Sequence, residues 1–173
     1  MNTHQRIALI VCMVVVLMLL NLNSLVFAFG TELSRSSLRG LQGVSVGAVG
    51  NLEPEIEEKG LTLDKIEKDV ELQLRTAGIN MLSGLEFLET KERPLLLVKV
   101  NTLKHETGYI CSVIVQFCQH IYLIQKPQSE TYPATTWSSD GVIGIVYAQE
   151  DIRSLVRDEA DIFINAYLSE NPK

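Results

Sequence analysis

The sequence has few of the residues that define several protein classes. Three cysteines in 173 residues are too few for a disulfide-rich scaffold, and five prolines with eleven glycines exclude a collagen-like or low-complexity chain. Basic residues are also scarce, with 15 Lys and Arg against 21 Asp and Glu. Because nucleic-acid binding normally requires a basic surface, this balance argues against a nucleic-acid partner. Long apolar runs are confined to the N-terminus, which excludes a multi-pass membrane protein.

The N-terminal apolar run has the organisation of an export signal. Arg6 precedes 14 apolar residues at 7–20, and a polar stretch then leads to small residues ending at Ala28. The run is shorter than the roughly 20 residues that a spanning helix needs. We therefore predict a signal peptide over residues 1–28 and an exported protein, periplasmic or extracellular. An uncleaved membrane anchor is the alternative.

Cleavage after Ala28 would leave 145 residues, enough for one hydrophobic core. Residues 29–42 show no sustained hydrophobic period, and we expect a flexible leader there. We expect a single α+β domain over residues 43–170.

Two segments of this domain carry the spacing of amphipathic helices. The first begins near Thr62, a suitable N-cap, and ends near Gly78, which suits a left-handed stop. Its apolar stripe consists of Leu63, Ile66, Val70, Leu74 and Ala77. The second begins near Gln149, and its stripe consists of Ile152, Leu155, Val156, Ala160, Phe163 and Tyr167.

Alternating or continuous apolar segments predict strands over 43–49, 79–82, 95–103, 109–125, 135–137 and 142–147. Asp140-Gly141 predicts a tight hairpin between the last two strands, and Gly144 predicts a bulge or a close backbone approach. The 109–125 strand would extend about 56 Å, so we expect it to bend or break at Gln119-His120. The order β-α-β-β-β-β-β-α predicts a two-layer α+β sandwich, with a mostly antiparallel sheet and two helices packed on one face.

The sequence motifs that suggest chemistry have simpler structural interpretations. Ser45 lies in a Gly-x-Ser-x-Gly pattern, but it sits inside a predicted strand that no helix follows directly. Cys111 and Cys118 are seven positions apart on one predicted strand, so we expect two separate thiols on opposite faces, one of them in the core. Outside the predicted signal peptide only two histidines remain, His105 and His120, and two are too few for a catalytic zinc site. We expect no metal and no cofactor.

The candidate binding residues are Trp137, Asp140, His120 and Gln116. Trp137, the single tryptophan, lies beside hydroxyl residues and Asp140, a combination suited to a small recognition surface. A tryptophan that closes one end of the core is the alternative. His120 shares a polar stripe with Gln116 on the same predicted strand, although simple solvent exposure explains this stripe equally well. We expect Trp137→Ala to weaken partner binding and leave stability little changed.

These observations favour a non-catalytic exported domain that binds a protein or a cell-envelope component. An open sheet edge would allow strand addition, and the acidic surface favours basic partners. The membrane would be a partner only if the N-terminal segment is retained. The alternatives are a small secreted hydrolase, using His120 or Asp140 with a nearby hydroxyl, and a membrane-tethered module with an uncleaved N-terminal helix.

Overall fold

The computed structural model describes residues 32–127 and 129–172. The expected signal peptide over residues 1–28 and its cleavage site lie outside the described residues. Within the described ranges, no helix is both long enough and apolar enough to cross a bilayer.

The described chain alternates helical and extended segments around one sheet. The elements follow in the order β1 (Ser45–Asn51), α1 (Pro54–Glu58), α2 (Leu63–Thr76), α3 (Gly84–Glu89), β2 (Leu95–His105), β3 (Gly108–Ile121), β4 (Tyr132–Ser138), β5 (Val142–Val146) and α4 (Gln149–Glu170). A further helical turn covers residues 32–36.

The sheet is mostly antiparallel, and its two long helices lie on one side. β1 pairs parallel with β2, and β2 pairs antiparallel with β3. β4 and β5 both pair antiparallel with β3, along different halves of it. Helices α2 and α4 pack on the sheet and on each other. The predicted fold class, a two-layer α+β sandwich, is confirmed.

The predicted hairpin at Asp140-Gly141 is wrong, because β4 and β5 do not pair with each other. β4 ends with Ser138 opposite Gln116, and β5 begins with Val142 opposite Val113, so both continue in one direction along β3. Gly141 has a φ of +74°. An Asp-Gly pair favours a positive φ at the glycine, and this conformation serves a bulge in a continuing strand as well as a hairpin.

Three local predictions also differ from the structure. The 79–82 segment forms only an isolated bridge, between Val44 and Met81. A Cβ on Gly144 would have no atom within 4 Å, so this glycine does not mark a close approach. β3 ends at Ile121 rather than at residue 125, directly after Gln119-His120, where a bend or break was expected, and the irregularity in its pairing lies earlier, between Phe117 and Cys118.

The two predicted helices bury the predicted stripes. The hydroxyl oxygen of Thr62 accepts a hydrogen bond from the Lys65 amide at 3.3 Å, and Gly78 has a φ of +82°. α2 buries Ile66, Val70 and Leu74. α4 buries Ile152, Val156, Glu159, Ala160, Phe163, Ile164, Ala166 and Tyr167. Burial of these apolar faces against the sheet supplies most of the stabilisation.

Phe163 is the centre of an aromatic cluster between α4 and the sheet. Its ring centroid lies 5.6 Å from that of Phe117, 5.4 Å from that of Trp137 and 6.0 Å from that of Tyr167. The Trp137 and Phe163 rings meet edge to face, at 70°. This geometry adds a favourable electrostatic contribution to the burial of apolar area.

Residues 32–42 are packed against α4, which differs from the flexible leader expected over 29–42. The side chain of Leu38 is fully buried, and the Tyr167 hydroxyl donates a hydrogen bond to the Leu41 carbonyl oxygen at 2.9 Å. Arg39 forms an ion pair with Glu170 at 2.7 Å. A single buried leucine and side-chain hydrogen bonds hold this segment, and neither produces a periodic sequence pattern.

Candidate functional site

Trp137 and Asp140, two of the four candidate residues, line one groove. It has a volume of about 380 Å³ and lies between the β4–β5 junction and the C-terminal half of α4. The Trp137 side chain is only 6% exposed and packs on Phe163. This position matches the alternative in which Trp137 closes one end of the core. A ligand in the groove would reach little of the indole.

Backbone hydrogen bonds occupy the hydroxyl groups around Asp140. The Ser139 side chain accepts a hydrogen bond from the Val115 amide at 3.1 Å, and the Ser139 amide donates to the Val115 carbonyl oxygen at 2.9 Å. The Ser138 hydroxyl donates to the Ser139 carbonyl oxygen at 2.8 Å. These contacts replace the regular ladder where β4 passes into β5. The serines beside Asp140 thus maintain the strand junction.

His120 and Gln116 lie on the opposite face of the sheet from Trp137. His120 Nδ1 is 3.0 Å from the Thr131 hydroxyl oxygen, and its backbone amide donates to the Glu92 carbonyl oxygen at 2.6 Å. His120 pairs with Pro133, seven positions before Asp140, which corresponds to ~23 Å of extended strand. The four candidate residues therefore do not form one site.

The cysteines are placed as expected. Both are free, with Cys111 buried in the core and Cys118 half-buried on the other face. Burial raises the pKa of the Cys111 thiol to about 11. The Cys118 sulfur lies 3.7 Å from the Thr135 hydroxyl oxygen. In the described part of the chain, no cluster of three or more His, Cys, Asp and Glu side chains is arranged to hold a metal ion.

A surface that the sequence analysis missed lies on the sheet face opposite α2 and α4, which we call the open face. Apolar side chains on it are exposed, with Ile143 at 77%, Leu103 at 62% and Ile145 at 52%. The strand register places Leu103, Ile110 and Ile145 side by side across three strands. The sequence carried a signal of this surface, because the 142–147 segment is apolar at successive positions and does not alternate.

Charged groups at one end of the sheet form a compact cluster. The Tyr109 hydroxyl donates to Glu55 Oε2 at 2.8 Å, and Lys104 forms an ion pair with the other Glu55 oxygen. Hydrogen bonds from Lys104 and then Tyr109 lower the pKa of Glu55, and the same contacts with Glu55 raise the pKa values of Lys104 and Tyr109. The cluster fastens α1 to the β2–β3 turn.

Glu159 is a second feature that the sequence analysis missed. Its side chain is on the buried face of α4, only 6% exposed, and its Oε2 atom has no hydrogen-bond partner among the described residues. An unpaired buried carboxylate oxygen destabilises a fold. Glu159 continues the i, i+3, i+4 spacing of the α4 stripe. In the sequence it differs from the other stripe residues only in being charged, so it was not assigned to the buried face.

A comparison with protein-family models and a comparison with curated protein sequences each find no match. Function is therefore argued from the geometry of the groove and of the open face.

Proposed function

We propose that this chain is an exported, non-catalytic domain that binds a protein or an envelope component through the open face of its sheet. The observation that carries the proposal is the row of exposed apolar side chains at Leu103, Ile143 and Ile145. Contiguous exposed apolar patches mark interaction surfaces in soluble proteins. A sheet face without such a role normally carries polar residues.

The surroundings of this row are those of a protein interface. Lys99 and Asn101 on β2 and Gln116 on β3 belong to the same face, so polar groups border the apolar row. An apolar centre with a polar rim is the usual composition of a protein–protein contact. Gln116 therefore enters the proposal as a rim residue, whereas His120 lies on the same face ~26 Å along β3 from Ser112, the partner of Ile143. Trp137 supports the surface from the core side.

The hydrolase alternative receives less support. It requires His120 or Asp140 to act with a nearby hydroxyl. His120 has the Thr131 hydroxyl at 3.0 Å, but strand pairing places Asp140 ~23 Å from His120, so the Asp140 carboxylate does not join this pair. The hydroxyls beside Asp140 already bond to backbone groups. A membrane-tethered module would present the same open face, and only its location would differ.

Site-specific photo-cross-linking tests the binding proposal. A benzophenone amino acid replaces Leu103 in the full chain, expressed in the cells that naturally produce it. Leu72, exposed by 65% on α2, receives the same group as a matched control. We expect adducts of defined mass from position 103 and none from position 72. No adduct from either position, or the same adducts from both, would contradict binding through the open face.

Intact-mass measurement tests the proposed export. We expect the protein recovered outside the cytoplasm to lack residues 1–28. A recovered chain with its N-terminal segment intact would support the membrane-tethered alternative.

A further inference from the structure

The outer edge of β5 is unpaired. Among residues 32–127 and 129–172, no hydrogen bond reaches the backbone of β5 from the side away from β3. The Val146 carbonyl oxygen points towards β3, since a Cβ on Gly108 would lie 2.5 Å from it. Backbone groups alternate sides along a strand. The N–H and C=O groups of Ile143 and Ile145 therefore point outwards.

The sequence of β5 is symmetric about Gly144. The residues on either side are Ile143 and Ile145, and the next pair are Val142 and Val146. Reversing the strand direction therefore presents the same side chains at the same positions. In an antiparallel contact about a twofold axis, residue i of one copy meets residue j of the other and j meets i, and the symmetric sequence matches apolar side chains of the same kind in each such pair. A strand that accepts an unrelated peptide has no need of this symmetry.

We propose that β5 pairs antiparallel with β5 of a second copy, about a twofold axis through Gly144, so that the two sheets become continuous. This goes beyond the proposed function, because pairing at the β5 edge joins the open faces of two copies and leaves Leu103 uncovered. Ile143 of each copy then lies opposite Ile145 of the other and exchanges both backbone hydrogen bonds with it. The exposed side chains of both isoleucines meet on the open face.

The composition of the segment favours this occupant. Residues 141–147 contain no charge and no proline, the two features that usually prevent edge strands from pairing. No like charges oppose each other within the paired segment. Five residues span only about 17 Å. The contact therefore belongs to the small, reversible class, below roughly 1,200 Å² of total buried area.

Disulfide trapping at the proposed axis tests the geometry. Gly144→Cys is made in the full chain with Cys12→Ser and Cys118→Ser, and mild oxidation is followed by non-reducing electrophoresis. Cys111 is retained, because burial leaves its thiol inaccessible. A Cβ at position 144 meets no atom within 4 Å, so the variant fits the monomer. We expect a reducible dimer as the main product.

The matched control is Thr135→Cys in the same background. Thr135 is also on the edge, on β4, but in the proposed dimer it would lie roughly 60 Å from its counterpart. We expect it to remain monomeric. Equal cross-linking at positions 144 and 135, or no cross-linking at position 144, would overturn the proposal.

Molar mass by sedimentation provides an independent measurement on the chain with its natural glycine. We expect a concentration-dependent dimer. Ile145→Lys should raise the dissociation constant of this dimer at least tenfold more than Leu72→Lys does. A wild-type monomer at about 100 µM, or a dimer that Ile145→Lys leaves intact, would overturn self-pairing at β5. Neither result decides the proposed function, because cross-linking from Leu103 to other proteins tests it separately.

Discussion

The two edges of the sheet are treated differently by the rest of the chain. At β1, the Val44 amide donates to the Asn80 carbonyl oxygen at 3.0 Å, and the Leu82 amide donates to the Val44 carbonyl oxygen at 2.9 Å. Glu67 on α2 accepts from the Ala48 amide at 3.3 Å. At β5, the Asp151 carboxylate accepts from the Tyr147 amide one residue past the strand, but among the described residues no group reaches the outer backbone of residues 142–146.

This difference indicates which edge is available for interaction. Unpaired strand edges promote association between chains, and proteins normally cover or charge them. The chain covers the β1 edge with the segment at 80–82 and with a carboxylate from α2. Because the same chain leaves β5 uncovered and apolar, the β5 edge is the one we assign to an interface.

One glycine in each edge strand tests how closely the rest of the sheet packs against that strand. Gly50 in β1 has a φ of +142°, and a Cβ there would lie 1.8 Å from the Val100 carbonyl oxygen. Gly144 in β5 has open space around it. We expect Gly50→Ala to lower the free energy of unfolding by about 3–5 kcal/mol in urea titrations. Gly144→Ala should change it by less than ~1 kcal/mol. Similar losses in both variants would show that the edges are equally constrained.

Trp137→Ala separates the core role of this residue from a binding role. The indole is buried against Phe163, so we expect a loss of about 3–5 kcal/mol in the free energy of unfolding. This revises the expectation from the sequence that stability would change little. Tyr147, exposed by 67% just after β5, is the aromatic control, and its alanine variant should lose less than ~1 kcal/mol. Unchanged stability with loss of the Leu103 adducts would restore Trp137 as a binding residue.

The helices that accompany the two edges also differ. α2 buries only apolar side chains, whereas α4, which packs on β3 and β5, buries Glu159. We expect Glu159→Met to raise the free energy of unfolding by about 1–2 kcal/mol, because it removes a buried carboxylate with one unpaired oxygen and keeps the volume. The exposed Glu150→Met is the control, with an expected change within ~0.5 kcal/mol. A loss of stability in Glu159→Met would mean that the carboxylate has a partner in solution.

Glu67→Ala should partly uncover the β1 edge. Loss of the hydrogen bond to the Ala48 amide is expected to cost about 0.5–1 kcal/mol and to speed hydrogen exchange at that amide. Glu71→Ala, which removes only an exposed ion pair with Arg75, is the control on the same helix.

In the wild type, the amides of Ile143 and Ile145 should exchange rapidly when the protein is dilute and slowly when it is concentrated. Concentration-independent exchange at both would count against pairing at β5.

The smallest effect concerns the helix caps beside the two edges. Hydrogen bonds from the Tyr147 and Ala148 amides, each 2.9 Å, lower the pKa of Asp151 below its usual 3.8. The ionised carboxylate therefore stabilises the folded state above that pH, and the contribution is lost as the pH falls through the lowered pKa. We expect Asp151→Asn to reduce the melting temperature at neutral pH, with the difference from wild type closing in acid. Thr62→Ala, at the uncharged cap of α2, should give a pH-independent loss.

Local patterns in the sequence were enough to predict the helices. Ile66, Val70 and Leu74 form one stripe, and Thr62 supplies a cap from its own side chain. These features depend on residues a few positions apart, so whether the helix and its cap form does not depend on distant parts of the chain. The separation of Cys111 from Cys118 followed in the same way from the twofold alternation of a strand.

Long-range choices were not predictable. Asp140-Gly141 has the same local preference in a hairpin and in a bulge, and only the length of β3, which accommodates β4 and β5 end to end, selects the bulge. Leu38 becomes a core residue because Tyr167 and other α4 groups are nearby in space. The candidate residues were dispersed because β3 places Gln116 and His120 on one face while Trp137 lies on the other.

The sequence by itself determined the two amphipathic helices, the strand-rich segment between them and the acidic balance, because each follows from composition or from spacing within one element. Only the tertiary structure decided which strands became edges, which edge was covered and which sheet face stayed apolar and open. Those outcomes depend on contacts between residues far apart in the chain, such as Ala48 with Glu67 and Val44 with Asn80. No short stretch of sequence encodes them alone.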